Sequence, residues 1–84
     1  MPRGVSREYP GDEELSQLCD EMGLTVRQAV RACRGWNPDR YYRLRKAYGR
    51  IPAEFALALA DLTTRLPEGP RLSGEEALRL LRVI

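Results

Sequence analysis

TVRQAVRACRGWNPDRYYRLRKAYGR, residues 25–50, is the stretch around which the rest of the chain is organised. It holds eight of the fourteen basic residues (Arg27, Arg31, Arg34, Arg40, Arg43, Arg45, Lys46 and Arg50) and one acid, Asp39, for a formal charge of +7. The flanks are acidic: residues 1–24 carry −4 and residues 51–84 carry −1. The whole-chain +2 therefore conceals a sharp asymmetry. A near-neutral protein that concentrates its positive charge in one block offers a surface suited to a polyanion. Arginine forks match phosphate and guanine edges bidentately. The plainer reading is a solvated helix face in an arginine-rich chain. Thirteen Arg against one Lys is a compositional bias. It weakens an argument from any single arginine and leaves the clustering untouched.

Two helices are encoded in the block. Thr25 with Gln28 three residues on forms a capping box. Val26, Ala29, Val30 and Cys33 then recur at i, i+3, i+4 and i+7, a buried stripe opposite Arg27, Arg31 and Arg34. Gly35 ends this helix, predicted over 25–34. It is under three turns long and must pack on its neighbours to be stable. Asn37-Pro38-Asp39 opens the next, predicted over 37–48: Asn as N-cap, Pro preorganised at N1, Asp favouring the helix dipole. Tyr41, Leu44 and Tyr48 fall on its inward face. Asp39, Arg43, Lys46 and Arg50 point the other way, with Tyr42 on the flank. Arg45 lies near the inward side, where packing or an ion pair with the acidic first helix is expected. Trp36 reads as a core plug over the turn.

Outward from the block, residues 12–22 form a first helix with Asp12, Glu13 and Glu14 in its first turn. Its stripe is Leu15, Leu18, Cys19 and Met22, and Gly23 suits the left-handed C′ position. Downstream, Pro52 at N1 starts a fourth helix over 52–66 with Phe55, Leu59, Leu62 and Leu66 inward. Alanines 53, 56, 58 and 60 allow neighbouring helices to approach closely. Pro67-Glu68-Gly69-Pro70 breaks the chain. Ser73 and Glu76 form a second capping box at the head of a fifth helix over 74–83, with Leu78, Leu81 and Val83 or Ile84 along one edge. The expected fold is all-α, a compact bundle of about five helices, with no strand alternation. The expected division is a flexible arm over 1–11, whose Arg3 and Arg7 could touch phosphate, a core domain over 12–66, a linker over 67–72 and the helix over 73–84. A lone amphipathic helix of that length is marginal in water. It must therefore dock, either back on its own core or, as the favoured reading, on a second subunit as a dimerisation element.

Eighty-four residues, 43% of them hydrophobic, suffice for one small domain with a modest core. No apolar run approaches the roughly 20 residues of a membrane span, and the N-terminus has no apolar h-region, so a cytoplasmic protein is expected. The two cysteines and the lack of histidine leave no tetrahedral zinc set and no imidazole base for a catalytic thiol. Cys19 and Cys33 fall on apolar stripes and are expected as buried free thiols, a disulfide between them being poorly suited to a cytosolic protein. With no metal-ligand cluster and no Gly-rich phosphate loop, no enzymatic activity, cofactor or small-molecule substrate is expected.

A short helix, a Gly-containing turn and a second helix presenting basic residues are the parts of a helix-turn-helix. The segment MGLTVRQAVRACRGWNPDRYYRLRKAYGRIPAEFALALADL resembles that of phage-repressor-type transcription regulators, over about half the chain. The shared features are Leu24-Thr25, Gln28, Gly35, Asn37, Tyr41 with Leu44, and Pro52. The departures are Arg31, where that family usually has alanine, and Trp36, where it usually has valine or isoleucine. The resemblance implies a DNA-binding transcription regulator, a small repressor that binds double-stranded DNA as a homodimer. It implies that Arg27, Gln28, Arg31 and Arg34 sit by the sugar-phosphate backbone. Asn37, Asp39, Tyr42, Arg43 and Lys46 then lie where base edges are met in the major groove, with Arg40 and Arg50 on the same basic helix. Arg43 is the candidate reader of guanine. Asp39 either accepts from cytosine N4 or orients Arg43. The alternative from another class is a protein-interaction module, a phage or accessory factor, that binds an acidic surface of a larger protein through the same arginines.

Overall fold

The computed structural model describes residues 9–84, and every regular element in it is helical. The expected arm, with Arg3 and Arg7, lies outside the described residues up to residue 8. Five helices follow: α1 (Asp12–Met22), α2 (Val26–Ala32), α3 (Pro38–Tyr48), α4 (Ala53–Arg65) and α5 (Gly74–Leu80). Thr25 Oγ1 accepts from Gln28 N while Gln28 Oε1 accepts from Thr25 N, and Ser73 with Glu76 repeats the arrangement at α5. Asn37 Oδ1 accepts from Arg40 N at 2.8 Å. At the end of α1, Gly23 adopts a left-handed φ of 76°, and Leu24 N reaches back to Cys19 O at 2.9 Å. Each cap satisfies backbone groups that the helix end leaves open.

The core is one cluster centred on α4. Phe55, Ala56, Leu59 and Leu62 of α4 are buried with Leu15, Leu18 and Cys19 of α1, Ala29, Val30 and Cys33 on and just after α2, Tyr41 of α3, and Ile51. Phe55 is the support beneath the basic block. Trp36 packs on it edge-on at 5.4 Å and Tyr41 at 4.6 Å. Trp36 is therefore in the core, over the turn, as its place in the sequence suggested.

Four features differ from the sequence reading. First, α2 stops at Ala32, with Cys33 extended as its C-cap, so Arg34 leaves the stripe of Arg27 and Arg31 and sits in the turn. Gly35 provides the φ of +80° this turn needs, and Trp36 N donates to Cys33 O across it. Second, Tyr48 is 57% exposed rather than inward. Gly49 ends α3 in a left-handed conformation, and Ile51, just beyond it, is fully buried. Third, Pro52 is the N-cap of α4, not its first turn. Fourth, α5 docks on its own chain. Ala77 and Leu81 are fully buried in the core cluster and Leu78 is half-buried, so these side chains are already covered without a second subunit.

The segment joining α4 to α5 is tied down at its end. Thr63 Oγ1 donates to Ala60 O at 2.6 Å and accepts from Leu72 N at 3.1 Å. The Arg71 guanidinium donates to the carbonyls of Thr63 and Leu66, closing the C-terminal end of α4. α5 ends at Leu80, short of the expected residue 83, with Leu81 as its C-cap, Arg82 at a left-handed φ of 59° and Val83 N donating to Leu78 O at 2.8 Å. That end then meets the other end of the chain. Gly11, the N-cap of α1, lies against the backbone of Leu81.

Cys19 and Cys33 are both buried free thiols, as expected. Burial pushes the Cys19 thiol up from an ordinary 9.0 to about 12, and the nearby Cys33 adds to the effect. Burial likewise pushes Cys33 up to about 11, with Arg65 pulling the other way. The fully buried Tyr41 hydroxyl is also raised by its loss of solvent. A group whose folded value lies above its unfolded value holds its proton longer in the native state. Stability should therefore be unaffected by these thiols below pH 9.0 and fall as pH rises from there toward about 11 to 12. Urea midpoints at about pH 8 and about pH 10.5 check this, the second being expected lower. Equal midpoints, or rapid alkylation of both thiols in the native protein, would contradict it.

Candidate nucleic-acid interface

The caps that fix α2 and α3 also fix which basic side chains meet. Residues 39, 42, 43 and 46 recur at helical spacing on the outer side of α3, away from Tyr41 and Phe55. Arg27, in the first turn of α2, comes alongside them. Together Arg27, Pro38, Asp39, Tyr42, Arg43 and Lys46 line an open groove on the surface. Five of these six were expected from the sequence as polyanion contacts. Pro38 was read only as a helix starter, and nothing in its local pattern marks it as a groove wall.

Within the groove, the Asp39 carboxylate lies 3.4 Å from an Arg43 guanidinium nitrogen, one turn along the helix. The ring of Tyr42 packs edge-on against Tyr41 at 5.0 Å and stays partly exposed. Three cations and one anion thus share a shallow surface with an aromatic edge, a set of donors suited to phosphate oxygens and to the acceptor-rich major groove.

Arg45 anchors α3 from behind. Its Nη1 donates to both carboxylate oxygens of Asp12 at 3.1 Å, and both side chains are withdrawn from solvent, at 14% and 6% exposure. The guanidinium lies over the ring of Tyr9 at 4.6 Å and that of Tyr42 at 5.0 Å. The expected ion pair with the first helix is therefore present, and Asp12 is its acid. Through Tyr42, this anchor touches the wall of the groove.

The remaining candidates divide. Arg31 and Arg34, also of the basic block, are exposed and do not line the groove. Gln28 and Asn37 are exposed, and each has its carbonyl oxygen engaged in capping. Arg40 is turned to the turn itself. Its Nη1 donates to Gly35 O at 2.8 Å, its guanidinium stacks on Trp36 at 4.2 Å, and its other terminal nitrogen is 3.7 Å from Glu54. Arg50 sits at the far end of α3, its guanidinium 3.5 Å from Val83 O, in a second depression with Tyr48, Ile51, Ala53, Val83 and Ile84. The structure brings neither Arg40 nor Arg50 to the groove.

Among the described residues no cluster of three or more Cys, Asp or Glu is placed to hold a metal ion, and no helix is long and apolar enough to cross a membrane. No family model matches the chain, and it has no significant match to a curated protein or to a solved structure.

Proposed function

We propose that this protein is a sequence-specific double-stranded DNA-binding protein of the helix-turn-helix kind, acting as a small transcription regulator with α3 in the major groove. The observation that carries the reading is the groove in which Arg27 of α2 meets Arg43 and Lys46 of α3. One helix start placed to hold the phosphate backbone and one helix face placed over base edges is the division of labour such proteins use. The burial of Trp36 and Tyr41 on Phe55 supports it, because a rigid support lets an outer face be presented in one orientation. A homodimer on a palindromic site is the expected assembly. With Ala77 and Leu81 used within the chain, its contact would draw on the exposed apolar side chains Tyr48, Leu57, Leu80 and Ile84.

The experiment is a duplex-binding titration across salt concentration with two variants. The affinity of the wild-type chain should fall steeply with salt, by about 0.9 in log–log slope for each phosphate neutralised. Arg31→Ala should weaken all duplexes alike. Arg43→Ala should cost about 1–3 kcal/mol on the specific site and relax preference at one base pair. An unchanged ratio of specific to non-specific binding in Arg43→Ala would remove its base-reading role. Absence of duplex binding, with the same arginines required to capture an acidic protein, would replace this reading with that of an interaction module.

A further inference from the structure

Asp39 is the single acid of residues 25–50, and it stands in the groove among three cations. A carboxylate there is repelled by every phosphate that approaches. Its pair with Arg43 does not explain it through stability, because the two side chains are 85% and 68% exposed and such pairs contribute little. A first-turn acid does favour the helix dipole. That accounts for an acid at this position, and it leaves unexplained why this one reaches along the helix to the guanidinium on the groove face.

We propose that Asp39 is a specificity-determining residue, the Asp39–Arg43 pair selecting a guanine together with a cytosine within one or two base steps of it. The inference rests on the DNA-binding reading above. Arg43 donates two N–H bonds to guanine O6 and N7. An ionised carboxylate only accepts. In the major groove the donors it can meet are cytosine N4 and adenine N6, and adenine places the acceptor N7 beside N6. Guanine and thymine offer it acceptors alone. Cytosine is thus preferred, adenine is second, and the other two are rejected. The reach is also right. Four residues advance about 6 Å along a helix, which spans one to two base steps at about 3.4 Å each. Against phosphate alone Asp39 is a cost, so it lowers non-specific binding while leaving the matched site favoured.

The test uses the site enriched by the wild-type chain and a panel in which the cytosine position carries each base in turn. Wild type should prefer cytosine about ten-fold or more over thymine and guanine. Asp39→Asn should lose that preference, move toward adenine, whose N6 and N7 an amide contacts together, and bind non-specific duplex a few-fold more tightly. Its preference for the Arg43 guanine and its melting temperature should stay near wild type. An Asp39→Asn protein that keeps the cytosine preference, or weakens on every duplex equally, overturns the assignment and leaves DNA binding standing. A wild-type chain that binds no duplex overturns both.

Discussion

Gly11→Ala is expected to destabilise the protein by about 2–5 kcal/mol, the sum of a left-handed backbone penalty and an overpacking penalty. Gly11 has φ +87°, a region that side chains rarely enter. A Cβ there would collide with the carbonyl oxygen of Leu81, 2.8 Å from its carbonyl carbon, and meet Ile51 Cδ1 at 3.0 Å. Backbone cannot rotate aside as a side chain can. The junction at risk is where the start of α1 meets the end of α5, so the loss should loosen both. For a domain of this size each kcal/mol shifts the melting temperature by about 4–8 °C, so the drop should be about 10 °C or more. Gly35→Ala is the control. Its φ is +80°, but nothing lies within 4 Å of the added carbon, so only the backbone penalty of about 1–2 kcal/mol applies. Equal effects of the two substitutions would show that the Gly11–Leu81 contact is not what holds the ends together.

Asp12→Ala is expected to cost about 3–5 kcal/mol, because it leaves the Arg45 guanidinium withdrawn from water and without its carboxylate. The loss should exceed by far that of Asp39→Ala, whose ion pair is open to solvent. Both are Asp–Arg pairs, one withdrawn from solvent between two helices and one exposed along a single helix, and chemical denaturation of both variants compares them. DNA affinity should also fall in Asp12→Ala, since Arg45 holds α3 against α1 and packs on Tyr42 at the groove wall. A loss under about 1 kcal/mol in Asp12→Ala would mean that Arg45 finds water once its partner is gone.

What was legible in the sequence follows from what is local. Thr25 with Gln28, Asn37 with Pro38, Ser73 with Glu76, and Gly23 act within a few residues of themselves, and α2, α3 and α5 begin, and α1 ends, where these signals put them. The groove was largely legible because residues 39, 42, 43 and 46 share one face by helical period alone. The misses come from what period does not contain. Tyr48 continues the inward stripe of Tyr41 and Leu44, but the core ends before it. Ile51 lies between helices and carries no period, yet it is fully buried. Arg40 looks like its neighbours until the turn brings it the Gly35 carbonyl and the fold brings it Glu54 of α4. The docking of α5 on its own core is accompanied by bonds that hold the preceding segment, from Arg71 and Leu72 to Thr63, made eight and nine residues apart, which no pattern announces.

The central claim is that the groove of Arg27, Asp39, Tyr42, Arg43 and Lys46 reads duplex DNA, and random-site selection with the wild-type protein at physiological salt tests it most directly. The account predicts enrichment of a short motif containing a guanine with a cytosine within one or two steps, as a palindrome if the chain binds as a dimer. A selection that enriches no motif over successive rounds would contradict it.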